Sequence, residues 1–154
     1  MNILSTQYTL KNKVFEIYVA GCSAIPHCTN CHNPETWDFN QGDFFDDKYF
    51  KEKIEIKIIE FDSMIRNIMI FGGEPLDQPI EELIYLLSKL CEIKKPIWLF
   101  TRYEIEFIPE EIKRYCDYIK CGRYIPNLVI KDNIQYGITL ATSNQNIYKK
   151  GIDY

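Results

Sequence analysis

The run Val14-Phe15-Glu16-Ile17-Tyr18-Val19-Ala20 passes without a break into Gly21-Cys22-Ser23-Ala24-Ile25-Pro26-His27-Cys28-Thr29-Asn30-Cys31-His32-Asn33, and the fold is read outward from this junction. The first seven residues are apolar, β-branched or aromatic at almost every position, the pattern of a buried strand. The next thirteen hold three of the six cysteines within ten residues of one another. A strand that delivers a group of thiols at its carboxyl end places them where α/β proteins carry their chemistry. Three thiolates are one short of a closed tetrahedral zinc site. Three is also the number that holds a [4Fe-4S] cluster while leaving one iron open to an outside ligand.

Further strands and helices alternate downstream. Phe50, Ile54, Ile58 and Phe61 recur at helical spacing, with Asp46 and Asp47 favouring the amino end of that helix. Asn67-Ile68-Met69-Ile70-Phe71 reads as a central strand stopped by Gly72-Gly73-Glu74-Pro75. A second helix follows, with Pro79 in its first turn and Ile80, Leu83, Ile84, Leu87, Leu90 and Cys91 on its buried face. Ile97-Trp98-Leu99-Phe100 is a further buried strand. Pro109-Glu110-Glu111 opens a short helix with Ile112, Tyr115 and Cys116 inward, and Tyr118-Ile119-Lys120-Cys121 is a strand closed by Gly122. Such alternation predicts an α/β fold of about four parallel β-α units, a mostly parallel sheet smaller than a closed eight-fold barrel. The last third reads as short strand or loop, and residues 1–154 as a single domain.

The 154 residues, 46% hydrophobic and 14% aromatic, are enough for one real core. A net charge of −4 with interspersed signs argues against a nucleic-acid partner. No apolar run reaches the roughly 18 residues of a membrane span, and residues 1–7 lack a basic stretch followed by an apolar core, so a cytoplasmic protein without membrane partners is expected. In a reducing compartment clustered cysteines are metal ligands or reactive thiols rather than disulfides. From the cysteines alone, a zinc site built from Cys28, Cys31 and a distant pair such as Cys116 and Cys121 stays open beside an iron-sulfur cluster.

The Gly72-Gly73-Glu74-Pro75 turn falls on the same sheet edge as the cysteines. Two residues without side chains let the backbone approach a ligand there, and Glu74 or nearby carbonyls can accept hydrogen bonds from an ammonium group. The cysteine loop with Thr36-Trp37-Asp38 after it, this turn, Phe100-Thr101-Arg102-Tyr103, Gly122-Arg123-Tyr124-Ile125 and Ser143-Asn144-Gln145 together resemble the radical S-adenosylmethionine enzymes. Within them the likeness is to the small activating proteins of glycyl radical enzymes, and nearest to those serving anaerobic ribonucleoside-triphosphate reductase. It extends over roughly residues 14–148.

The resemblance implies a partial, open (β/α) barrel of the radical SAM type. It implies a [4Fe-4S] cluster on Cys22, Cys28 and Cys31, whose open iron binds S-adenosyl-L-methionine. Asn30, Cys31, His32, Gly72, Gly73, Glu74, Pro75 and Thr101 would lie against that cofactor. Reductive cleavage to a 5'-deoxyadenosyl radical would abstract hydrogen from a glycine of a large partner, with flavodoxin or ferredoxin as the reductant. A radical SAM enzyme acting on another peptide or small metabolite, and a non-catalytic zinc or iron-sulfur module, are the competing expectations. Two positions depart from the family pattern. Five residues rather than three separate Cys22 from Cys28, and Arg102 stands where the family has Gly.

Overall fold

The computed structural model describes residues 1–154. Nine strands are present: β1 (Asn2–Thr9), β2 (Val14–Val19), β3 (Asp43–Phe44), β4 (Asn67–Gly72), β5 (Ile97–Phe100), β6 (Tyr118–Cys121), β7 (Ile134–Gln135), β8 (Ile138–Thr139) and β9 (Asn146–Lys149). Seven make one sheet in the order β3-β1-β2-β4-β5-β6-β9, and β7 pairs with β8 in a small hairpin. The central strands β2, β4, β5 and β6 are parallel, the four predicted from the apolar runs. The sheet as a whole is mixed, because β1, β3 and β9 add antiparallel edges that the sequence reading left out.

Alternation along the parallel strands gives the sheet two unlike faces. Phe15, Ile68 and Ile97 stand in register on one face, as do Ile17, Ile70, Leu99 and Ile119 one step along. The helices cover that face. Asp47–Tyr49 (α1), a π-helical segment Phe50–Glu55 and Ile56–Glu60 (α2) run on as one rod that buries Phe50, Ile54 and Ile58. The Asp46 side chain caps it, accepting from the Tyr49 N–H at 2.7 Å. Ile80–Cys91 (α3) contributes Leu83, Leu86, Leu87 and Leu90, and Glu110–Lys113 (α4) contributes Ile112, with Cys116 just beyond it. Together they form one cluster of 23 buried residues.

The opposite face carries Met69, Trp98 and Phe100 and is closed at one end by Leu140 and Ile147 from the C-terminal segment. Two helix assignments need correction. Cys91 and Ile80 are exposed rather than buried, and Leu86 takes the core position instead. The reason is rotational: α3 presents Leu83, Leu86, Leu87 and Leu90 to the core, and Ile80 and Cys91 lie together on one flank of that stripe. No helix is long and apolar enough to cross a membrane.

Candidate functional site

The four parallel strands end on the same edge, and the segments that leave them surround a cavity of about 300 Å³. Cys22, Cys28 and Cys31 line it from the segment after β2, Gly73 and Glu74 from the turn after β4, Thr101 and Arg102 from the end of β5, and Lys120 and Arg123 from around the end of β6. Phe71 and Phe100 give it an apolar wall, their rings 4.3 Å apart. Sequence elements far apart in the chain thus meet because parallel strands share a carboxyl edge.

Backbone contacts lock the first two segments together. The Glu74 N–H donates to the Gly21 carbonyl at 2.7 Å, the Gly73 N–H to Val19 O at 2.9 Å, and the Gly21 N–H to Thr36 O. A Cβ on Gly73 would stand 2.0 Å from the Gly21 oxygen, and Gly72, at φ +117°, would put one 2.2 Å from Val19 O. Glycines are therefore required here by the close approach of protein backbone to protein backbone. They also leave the cavity wall free of side chains.

Glu74 is 2% exposed, and its carboxylate is already occupied. It accepts from the Thr101 hydroxyl at 2.6 Å and from the backbone N–H groups of Arg102 and Leu76 at 2.8 and 3.1 Å. Burial pushes its carboxyl pKa up, against the pull of these donors. The residue acts first as a tie between the ends of β4 and β5. Arg102 does not point freely to solvent: it is drawn to Asp77 in the turn Pro75–Asp77, at 3.0 Å.

Cys22, Cys28 and Cys31 all reach the cavity as free, half-buried thiols, without being gathered into a closed ligand set. Burial raises the Cys22 pKa. Asn30, His32, Gly72, Gly73, Glu74 and Thr101 line the same space, whereas Pro75 is buried in the turn behind it. His27 stacks on Trp37 with ring centroids 4.0 Å apart, and Trp37 lines the cavity beside the cysteines. Cys116 and Cys121 belong to the helix-covered core, where burial pushes Cys121 up to about 12. They take no part in a site with Cys28 and Cys31, which removes the zinc arrangement that drew on them.

Two contributors, Lys120 and Asp77, were not singled out from the sequence. Lys120 lines the cavity with its ammonium donating to the Gly122 carbonyl at 2.8 Å, and burial lowers its pKa to about 8. Alternation with the buried Ile119 and Cys121 was the available signal for it. Gln145, 6% exposed, accepts from the Ala141 N–H and donates to Gly122 O. Asn144 donates to Arg123 O at 2.8 Å, so the Ser143-Asn144-Gln145 and Gly122-Arg123 stretches of the sequence meet in space. Asp77 had no local signal.

Comparison with known proteins agrees with this geometry. A family model described as a 4Fe-4S single cluster domain matches residues 13–148. The chain is similar to a Haemophilus influenzae protein named anaerobic ribonucleoside-triphosphate reductase-activating protein, with 25% identity over 116 residues, 71% of this chain and 72% of the relative. A Pasteurella multocida protein of the same name is 26% identical over 147 residues, 86% of this chain and 85% of the relative. The resemblance read from the sequence motifs is borne out by these matches.

Proposed function

The chain belongs to the 4Fe-4S single cluster domain family, and from that premise we propose that it is a radical S-adenosylmethionine activating enzyme for a glycyl radical partner, anaerobic ribonucleoside-triphosphate reductase. The observation that carries the reading is the convergence of three free thiols with the Gly72-Gly73-Glu74 turn on one cavity at the carboxyl edge of four parallel strands. We read residues 1–154 as one domain, an open part-barrel widened by antiparallel edge strands.

The donor set suits the cluster. Cys22, Cys28 and Cys31 supply three soft ligands, the remaining cysteines stand elsewhere, and the cavity extends past the thiols toward Thr101 and Lys120. Held this way, a [4Fe-4S] cluster would supply the electron for reductive cleavage of S-adenosylmethionine to methionine and a 5'-deoxyadenosyl radical that could take hydrogen from a glycine Cα. The chain's own residues bind and enclose. Phe71, Phe100 and Trp37 give the cavity apolar walls, and carbonyls beside Gly73 offer acceptors to an ammonium group. The Lys120 ammonium and the Arg123 guanidinium offer charge to a carboxylate. The names of the two relatives and the incomplete wrapping of a four-stranded parallel core support a protein substrate, with a flavodoxin or ferredoxin as electron donor.

The test is anaerobic. The full chain is reconstituted with iron and sulfide, reduced with dithionite and given S-adenosylmethionine, while 5'-deoxyadenosine is followed by chromatography and the cluster by electron paramagnetic resonance. Cleavage in the wild type that falls to the cluster-free level in Cys22→Ala, Cys28→Ala and Cys31→Ala is expected, together with a glycine-centred radical once the reductase is added. A chain that takes up zinc instead, or whose cluster spectrum ignores S-adenosylmethionine, sinks the reading.

A further inference from the structure

Residues 23–27, between the first two cysteines, form neither helix nor strand, and Ile25 among them is 94% exposed. Ala24 packs inward and His27 stacks on Trp37, but the Ser23 end of the segment, next to Cys22, is set by side-chain bonds. One carboxylate oxygen of Asp77 accepts from the Ser23 N–H at 2.6 Å and the Ser23 hydroxyl at 2.8 Å. The other accepts from the Tyr103 hydroxyl at 2.7 Å. The Arg102 guanidinium spans both oxygens from one nitrogen, at 3.0 and 3.2 Å, touches the Ser23 hydroxyl at 3.4 Å and lies 4.2 Å over the Tyr103 ring. The Asp77 side chain is 4% exposed and that of Arg102 21%. At the far end of the segment the Arg123 guanidinium donates to the Pro26 carbonyl.

We infer that Arg102, Asp77 and Tyr103 are positioning residues that fix the Ser23 end of the loop and so present Cys22 to the cavity beside Cys28 and Cys31. The residue before Cys22 is already held by backbone, through the Gly21 bonds to Glu74 and Thr36, and the Cys22 N–H donates to Trp37 O at 3.1 Å. What remains free is the chain direction leaving Cys22, and Asp77 holds that direction through Ser23. Arg102 in turn keeps the Asp77 carboxylate from rotating, because a guanidinium stacked on one ring and bonded to both oxygens leaves it a single orientation. Asp77 sits two residues beyond Pro75, in the turn whose backbone is bonded to Gly21. The latch thus closes a ring around Cys22.

The inference rests on the proposed function only in taking Cys22 as a cluster ligand, and its test needs neither iron nor S-adenosylmethionine. The six cysteines of the full chain serve as probes in timed alkylation with iodoacetamide, read peptide by peptide by mass spectrometry under anaerobic, metal-free conditions. Cys91 is the exposed reference, and Cys116 and Cys121 report the fold. In Arg102→Ala and Asp77→Asn the Cys22 rate relative to Cys91 rises several-fold as the thiol leaves its half-buried position, while Cys116 and Cys121 stay protected. Arg102→Lys, which keeps a cation on Asp77, retains most of the wild-type protection. An unchanged Cys22 rate in both disruptive variants, with the core thiols protected, overturns the inference. Should those variants unfold, seen as reactive Cys116 and Cys121, Tyr103→Phe decides, since it removes one hydroxyl without touching the charge: a rise of about twofold at Cys22 supports the latch and none overturns it. Failure of the wild type to cleave S-adenosylmethionine leaves this outcome unaffected, so the two readings fail separately.

Discussion

The two faces of the central sheet are made by the same strands and differ in almost every other respect. On the helix-covered face Phe15, Ile17, Ile68, Ile70, Ile97, Leu99 and Ile119 are fully or almost fully buried among leucines and isoleucines of the helices. On the other face their sequence neighbours are Glu16, Tyr18, Met69, Phe71, Trp98, Phe100, Tyr118 and Lys120. Aromatic rings stack there, Trp98 on Tyr118 at 4.0 Å, and Glu16 is held by the Tyr18 hydroxyl at 2.9 Å and by Gln7. One face is closed and aliphatic; the other keeps buried polar groups beside an open cavity. A residue-by-residue alternation thus divides stability from chemistry at the scale of one pleat.

The sharpest way to break this division is to damage only the closed face. Leu87 is 0% exposed in the middle of the 23-residue cluster, so Leu87→Ala removes buried methyl groups and leaves a cavity. A loss of about 2–5 kcal/mol is expected. Urea unfolding of the metal-free chain measures it, and iron bound per folded chain below the transition should stay at the wild-type level. Iron binding that falls in proportion to stability would show that the two faces are energetically one unit.

Lys120 tests the open face from the other direction. Its ammonium is mostly buried, and its folded pKa of about 8 lies below the ordinary 10.5. Between those values the unfolded chain binds more protons than the folded one, so this group makes stability rise with pH from about 8 to 10.5 and contributes a constant cost below that window. Lys120→Met removes the cost, and the Gly122 carbonyl keeps a partner because Gln145 also donates to it at 3.3 Å. The variant should therefore be more stable at pH 7, by about 1 kcal/mol. The difference between variant and wild type should shrink as the pH is raised to 10. A variant less stable than the wild type at pH 7 would mean that the lysine stem packs the cavity wall more than its charge strains it.

What the sequence disclosed follows from how local each signal is. Two of the parallel strands, Val14–Val19 and Ile97–Phe100, were legible as nearly continuous apolar runs because both their faces are largely buried, and the other two by short apolar runs closed by glycine. The edge strands were not. In β1 only Ile3 is buried, and β9 buries only Ile147, so neither shows a period against its polar neighbours. At the site, Cys22, Cys28 and Cys31 announce themselves by spacing. Asp77 meets Ser23 across 54 positions of chain, and Arg102 meets it across 79, and no pattern within a segment encodes such a contact. Glu74 was read as a group offered to a ligand. Its bonds to Thr101 and Arg102 show that a buried carboxylate first satisfies the backbone around it.

The smallest effect belongs to a residue for which wheel and structure disagree. Cys91 lies four positions after Leu87, where the helical repeat returns close to the buried face, but it is also the last residue of α3, and the chain turns away through Lys94 at φ +59°. With no partner layer past that end, the side chain faces water. Cys91→Ser exchanges one exposed polar atom for another, so the change in stability should stay within about 0.5 kcal/mol. The iron content after reconstitution should be that of the wild type. A measurable loss of iron would place this thiol in the cluster's assembly and would blur the line between the helix-covered face and the cavity.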